Sequence, residues 1–273
     1  MIIRYHKNRS KKIIGLLHYK SGYSYFIESN IFDKVVLKKS SKELYENYKD
    51  WYKFSFIRCP FDRLLSFYKD KILLNPTNRI NRNTSKLQVC QKIILKSLKK
   101  PLDLKEFENI TFNQVCLVLH KNVYSDSHFL PYNLGLIYEN KIIVDFIGKL
   151  ENFTNDIELI NNKLNLKLKY KKENSTFETN IFNYYNLKTI FTVAKVYEDD
   201  LKYFYPKVYN QFLDFEVEYF DTKKLINTDT IDVNIGIDLE NNKSQIKKIN
   251  NSFLNLFINY NNNDYEKYKL LLV

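Results

Sequence analysis

The chain has 273 residues, 44% hydrophobic and 27% charged, a globular balance that excludes a disordered polypeptide and allows a sizeable core. Its formal net charge of +12 favours anionic partners: nucleic acid, an acidic membrane surface, phosphorylated small molecules or acidic glycans. Cys59, Cys90 and Cys116, with no C-x-x-C pair, argue against a disulfide scaffold and against a zinc site.

No stretch approaches the roughly 18 uncharged apolar residues that a membrane span needs. Met1-Ile2-Ile3 runs directly into basic residues and does not resemble a secretion signal. The expected setting is therefore cytoplasmic and reducing. His6 precedes the expected fold and carries no signal of its own.

Taken in order, Lys12–Tyr19 is a short apolar run bounded by charge, as a buried parallel strand requires. A Lys20-Ser21-Gly22 turn leads to a helix over Tyr23–Asn30. Val35-Val36-Leu37 reads as a second strand, and Ser40-Ser41 caps a helix over Lys42–Tyr48. Tyr52–Ile57 is the third strand. Pro60 fits the first position of the next helix, and Phe61, Leu64, Leu65, Tyr68 and Ile72 form its apolar stripe. Arg63, Ser66 and Asp70 fall on the opposite face. Strands alternating with helices indicate α/β architecture with a mainly parallel central sheet.

Residues 75–85 read as a polar loop, followed by helices over Lys86–Lys99 and Leu104–Leu119. Asn122–Gly135 is irregular, Ile142–Lys149 a strand, Asp156–Leu166 a helix and Lys188–Tyr203 the most helix-like segment of the second half. Beyond about Asp221 the composition shifts to Asn, Asp and Lys, with a short alternation over Ile231–Ile235. The expected organisation is a domain over residues 1–220 and an extension over residues 221–273.

Two turns carry the chemistry. Lys20, Ser21, Gly22, Tyr23 and Ser24 open a helix with ammonium, hydroxyl and backbone N–H donors able to wrap an anionic group, although the turn is not a Walker loop. Arg58, at the end of the third strand, joins Arg63 and Ser66 as a phosphate receptor. In a parallel sheet both turns open on one edge, where α/β folds bind ligands. A ligand with separated anionic groups satisfies both, which points to a doubly phosphorylated nucleotide.

The run Arg58-x-Pro60-Phe61-x-Arg63-Leu64-x-Ser66-x-Tyr68-x-Asp70-Lys71 resembles the 3′-phosphate motif of carbohydrate sulfotransferases of the chondroitin and HNK-1 type. The Lys20–Ser24 turn is similar to their 5′-phosphosulfate loop. Asp126-Ser127-His128-Phe129-Leu130-Pro131, Phe146–Asn152, Glu173–Thr176 and the helix through Tyr197-Glu198-Asp199-Asp200 resemble further segments in the family's order. Cys59 stands where Asp or Asn is usual, and Tyr23 where a small hydroxyl or thiol residue is usual. Neither the family's lumenal anchor nor its cysteine pairs can be read in these residues, so a Golgi-type location is not expected.

The resemblance spans roughly residues 12–205. It implies a P-loop-like three-layer α/β/α core and sulfuryl transfer from 3′-phosphoadenosine 5′-phosphosulfate (PAPS) to a hydroxyl, typically on a sugar, including an acidic one. Adenosine 3′,5′-bisphosphate is then the product. Lys20 would neutralise the bridging oxygen, the N–H groups of Ser21–Ser24 would hold the 5′-phosphate, and Arg58 and Ser66 would hold the 3′-phosphate, with Arg63 also counted among the cofactor-binding residues. His128 is the first candidate for the base, with His18 and Glu151 behind it. No metal is required by the motifs, and no metal-ligand cluster is visible in the sequence.

Three other readings stay open: a single-strand nucleic-acid binder, favoured by charge and aromatics, a nucleotide kinase or other P-loop transferase, and a non-catalytic glycan-binding member of the fold.

Overall fold

Asn8 folds the chain back on itself near its start. Its side-chain oxygen accepts from Ser10 Oγ and Lys11 N, both at 2.9 Å, while its amide donates to the Ile31 carbonyl at 2.7 Å. This side-chain turn joins strand β1 (Ile3–Asn8) to β2 (Ile13–Leu17), which pair antiparallel with His6 opposite Gly15. The structure, a computed structural model, describes residues 3–33, 36–73, 87–169 and 183–214. The expected turn at Glu173–Thr176, the alternation at Ile231–Ile235, the extension over 221–273 and the loop over 75–85 lie outside the described residues.

β1 corrects the expectation that the fold begins at Lys12. Tyr5, His6 and Lys7 are all buried, so the strand hides polar residues that read as a charged leader. It sits inside a five-stranded sheet of order β3-β1-β2-β4-β7, with β3 at Val36–Lys39, β4 at Tyr52–Ile57 and β7 at Phe146–Lys149. β2 pairs parallel with β4, and β4 with β7. β1 runs against both of its neighbours. The sheet is therefore mainly parallel in strand direction, inside a mixed α/β fold.

Helices α1 (Tyr23–Glu28) and α7 (Phe153–Leu164) supply Phe26, Ile157 and Ile160 to a core closed by Ile13, Leu17, Phe54 and Phe56 from the sheet. Phe54 and Phe56 alternate onto that face, and the Phe26 ring lies 4.9 Å from the Phe56 ring. Helix α2 (Ser41–Asn47) starts as its sequence dictates: Ser40 Oγ accepts from Glu43 N, and Glu43 returns a carboxylate to Ser40 N at 2.9 Å.

After α3 (Pro60–Tyr68) the chain widens into one π-turn, Lys69–Leu73. Helix α4 covers Val89–Ser97. The single helix expected over Leu104–Leu119 is two elements, a 3₁₀ segment Leu104–Asn109 and α5 (Phe112–Asn122), because Thr111 caps α5 with Gln114 as its reciprocal partner. A short α6 (Asn133–Leu136) and the hairpin β5 (Ile137–Tyr138) and β6 (Lys141–Ile142) precede β7, so the strand expected over Ile142–Lys149 divides in two.

Helices α8 (Leu187–Val196) and α9 (Glu198–Phe204) break at Tyr197. Contacts divide the chain into two compact units, Met1–Asp200 and Leu201–Val273. In the second, a helix over 206–214 follows, and Lys202 Nζ lies 5.3 Å from the centre of the Tyr209 ring. Among the described residues no helix is long and apolar enough to cross a membrane.

Candidate active site at the strand ends

β2, β4 and β7 run parallel and deliver three corners to one edge of the sheet: His18–Gly22 after β2, Arg58–Cys59 after β4, and Leu150–Asn152 after β7. At the second corner Cys59 N donates to Glu151 Oε1 at 2.8 Å, tying the β4 end to the β7 end. Pro60 opens α3, where its missing N–H costs nothing. At the first corner Lys20 and Gly22 both take left-handed backbone, with φ of 66° and 83°. Glycine adopts that region freely, whereas lysine is strained there, and such strain gathers at functional sites.

Tyr132 joins the two corners. Its hydroxyl lies 2.5 Å from Ser21 Oγ and accepts from Arg58 N at 3.1 Å. Its ring carries the Arg63 guanidinium at 4.4 Å and the edge of His18 at 4.6 Å. Asp200, fully buried, holds this residue from behind by accepting from Tyr132 N and Asn133 N, both at 2.8 Å. Burial raises the Asp200 carboxyl to about 6, against the opposing pull of those two N–H groups and Arg63.

Arg63 lies on the polar face expected for it, but that face is buried: Arg63 is 2% exposed and Ser66 is also interior. Its Nε donates to the Tyr19 carbonyl at 3.3 Å and its Nη1 to the Leu130 carbonyl at 2.8 Å. The guanidinium thus clamps the Lys20 turn to the segment carrying His128. Its Nη2 is buried with no hydrogen-bond partner among the described residues.

Positive charge gathers on both sides of this clamp. Lys20 Nζ and Lys71 Nζ share one oxygen of Asp70, at 3.2 and 3.1 Å. Lys69, which the sequence reading passed over, is buried, with its ammonium 5.4 Å from the centre of the Tyr184 ring. Burial lowers its pKa and the charge of Arg58 adds to that, with Asp62 opposing. Arg58 and Lys69 thus act on each other as like charges. Only their spacing from Ser66 along the helix could have flagged Lys69.

His128 completes the site. Its backbone N and its Nδ1 both reach Asp126 Oδ1, at 2.8 and 2.6 Å, and its ring stacks on Tyr19 at 4.3 Å. Burial lowers the imidazole pKa, Asp126 pulls it back, and Lys71 and Arg63 push it down again. The outcome is a neutral ring at neutral pH, oriented through Nδ1 with Nε2 left to take a proton. Burial works to raise Asp126, but the hydrogen bonds from His128 outweigh it and keep the carboxylate ionised.

The other two candidates for the base are placed differently. His18 is pushed down to about 3 by burial and by Arg63, and its Nε2 is sealed without a partner among the described residues. Glu151 is committed to Cys59 N.

A cleft of about 490 Å³ opens beside His128, with Arg4, His6, Tyr19, Tyr23 and Cys90 in its walls. His6 is thus part of the fold and lines the cleft, against the expectation that it precedes the fold. Cys90, Asp126 and His128 present donor atoms within 4.8 Å of one another, a grouping that sequence spacing did not reveal. The charge of Lys71 acts on all three residues and opposes a dication there. Burial, with Asp126 beside it, pushes the Cys90 thiol up to about 12, against the thiolate a metal needs.

Of the predicted site residues, the fold brings Lys20, Ser21, Arg58, Arg63 and His128 around Tyr132 and Tyr19. Ser21 spends its backbone N–H on the His18 carbonyl at 3.2 Å. Gly22 and Ser24 begin α1, which no side chain caps, and Tyr23 stacks on Tyr19 at 4.6 Å. Ser66 lies one turn before Asp70 on α3 and its π extension. The motif reading did not assign Tyr132, Lys69 or Asp70, whose contacts the fold sets among these residues.

The profile of the sulfotransferase family matches residues 27–209, more than half of the chain. The match takes in the Arg58 corner, Asp126–His128 and Asp200, and starts after the Lys20 turn. The curated proteins hold no match to the chain, and neither do the solved structures. With its Arg58–Lys71 motif, its His128 segment and its closing helix all inside the matched span, the chain belongs to the sulfotransferase family.

Proposed function

We propose that this protein moves a sulfuryl group from PAPS to a hydroxyl of a saccharide, on a P-loop-like three-layer core. The observation that carries the reading is the stacking of the Asp126–His128 segment on the turn that carries Lys20. These residues lie far apart in sequence, yet the His128 ring rests on Tyr19, the neighbour of Lys20, at 4.3 Å. A cation for a leaving oxygen and a neutral, oriented imidazole are the two groups that sulfuryl transfer to a hydroxyl needs.

The charge layout fits the donor. Arg58 with Lys69 supports a 3′-phosphate, Lys20 with Lys71 supports the 5′-phosphosulfate, and the Arg63 clamp lies with Tyr132 between the corners. When bound, the donor supplies an activated sulfuryl group on a bisphosphate leaving group. In the transfer an acceptor O–S bond forms and the S–O bond to the 5′-phosphate breaks. His128 Nε2 takes the hydroxyl proton, and the Lys20 ammonium faces the oxygen that leaves with the electron pair. The cleft walled by Arg4, His6 and Tyr23 gives a saccharide room beside that base.

The test is thermal unfolding with adenosine 3′,5′-bisphosphate, against ATP with magnesium as control. Ligand at 100 times its dissociation constant adds about 2.7 kcal/mol. A shift with the bisphosphate and none with ATP is the expected outcome. A folded protein that ignores the bisphosphate would overturn the reading.

A further inference from the structure

A polyanion site gains nothing obvious from a buried carboxylate, yet Asp70 stands in this one. It follows Ser66 by one turn, so the segment that presents the 3′-side residues also carries this acid, and its Oδ2 bonds Lys20 Nζ from the other corner. Its side chain is 6% exposed and shares the same oxygen with Lys71. The π-turn Lys69–Leu73 sets all three charged residues Lys69, Asp70 and Lys71 in sequence at this point. Such turns recur at functional sites because one extra residue re-aims the side chains around it.

We infer that Asp70 is a positioning residue with a release function: it holds Lys20 in place while the site is empty, and its charge repels the bisphosphate so that product leaves. This rests on the donor reading above. Without Asp70, Lys20, Lys69, Lys71, Arg58 and Arg63 would face a bisphosphate with one less opposing charge among them. Affinity would then rise, and product would be retained. With Asp70 present, Lys20 exchanges one anionic partner for another when nucleotide arrives and returns to Asp70 when it departs. The ammonium stays within reach of the reacting oxygen throughout, which a long exposed lysine would not do.

A purely structural ion pair and a release device make opposite forecasts for the neutral variant. Loss of a structural contact weakens or leaves unchanged the binding of bisphosphate, whereas loss of a repelling charge strengthens it. The experiment is calorimetric and stopped-flow titration of the full chain with adenosine 3′,5′-bisphosphate, comparing wild type with Asp70→Asn, Asp70→Ser and Asp70→Glu.

Removal of one like charge from among the cations that face the bisphosphate should tighten binding about tenfold or more in Asp70→Asn, with the gain in the dissociation rate. Asp70→Glu keeps the charge and should stay within about threefold of wild type. Wild type that binds, with neutral variants that bind equally or more weakly, overturns the inference and leaves the donor reading intact. Wild type that does not bind removes the donor reading itself. Failure of both neutral variants to fold also overturns the inference, because Asp70 would then serve the fold.

Discussion

The two strand-to-helix corners that flank Tyr132 are built on different principles. The β4 corner is pinned from several directions: Arg58 N to Tyr132, Cys59 N to Glu151, and the Phe61 carbonyl to Tyr185 Oη at 2.8 Å, all from residues more than 70 positions away. Its helix α3 is buried on nearly every side. The β2 corner has a six-residue helix without a side-chain cap, a lysine in left-handed backbone, and an ammonium paired with a carboxylate from the other corner. Both corners are tied into the core, the β2 corner by Ser21 to Tyr132 and by the Arg63 clamp, but the Lys20 ammonium rests on an ion pair that an anionic ligand can replace. The division suits a site where one end of a nucleotide anchors and bonds change at the other.

Substitution at the clamp between the corners should break this contrast most severely. Arg63→Met removes two charged hydrogen bonds to carbonyls, each worth roughly 1.5–3 kcal/mol. We expect a stability loss of about 3–6 kcal/mol by denaturant unfolding, and Arg63→Lys should not restore it, since one ammonium cannot span both carbonyls. If Arg63→Met unfolds like wild type, the clamp does not join the corners.

Next in size is the β2 corner itself. Lys20→Ala should leave the fold intact and lower turnover by about 10²–10³-fold, the range for removing one group that stabilises developing charge. Affinity for the bisphosphate should change far less. Steady-state rates alongside bisphosphate titration separate the two effects. An equal loss in both would mean that Lys20 serves binding rather than bond breaking.

The third prediction concerns the backing of Tyr132. Asp200 is raised to about 6 in the folded chain, above its unfolded value near 3.9. A raised carboxyl favours the folded state most when protonated, so its contribution is full below about pH 4 and is lost as pH rises through about 6. The stability difference between wild type and Asp200→Asn should therefore move against wild type by about 2–3 kcal/mol across that window. Urea unfolding of both proteins at pH 4, 5, 6 and 7 tests the sign. A flat difference would mean that the buried carboxylate ionises as easily in the folded chain as in the unfolded one.

The same contrast explains what could be read from sequence. Tyr52–Ile57 and Pro60–Tyr68 matched expectation closely because their signals are local: a run of apolar residues ending at a proline suited to the first helical turn. Ser40 with Glu43 was equally local. β1 was hidden because its buried residues include His6 and Lys7, and because its turn depends on the Asn8 side chain and uses no Gly or Pro.

Arg63 and Ser66 were correctly set opposite the apolar stripe of α3, but no periodicity can say that the polar face is buried too. Tyr132 had no local signal at all. Its importance comes from Ser21, Arg58 and Asp200, brought to it by long-range topology. His128 was legible as a residue type in an irregular segment, whereas its lowered pKa comes from burial, with Lys71 and Arg63 adding to it, and only the fold supplies these.

The order of strands in the sheet bears on how the chain can be dissected. β1 and β2 lie between β3 and β4, and both precede the span that matches the family. A fragment cut to residues 27–209 would keep the two outer parts of the sheet and discard the strands that join them. The β4 edge, with Phe54 and Phe56 on one face, would then present unpaired backbone groups to any other chain and invite edge-to-edge aggregation. The first two strands, outside the recognisable part of the sequence, thus act as the solubility guard of the part inside it.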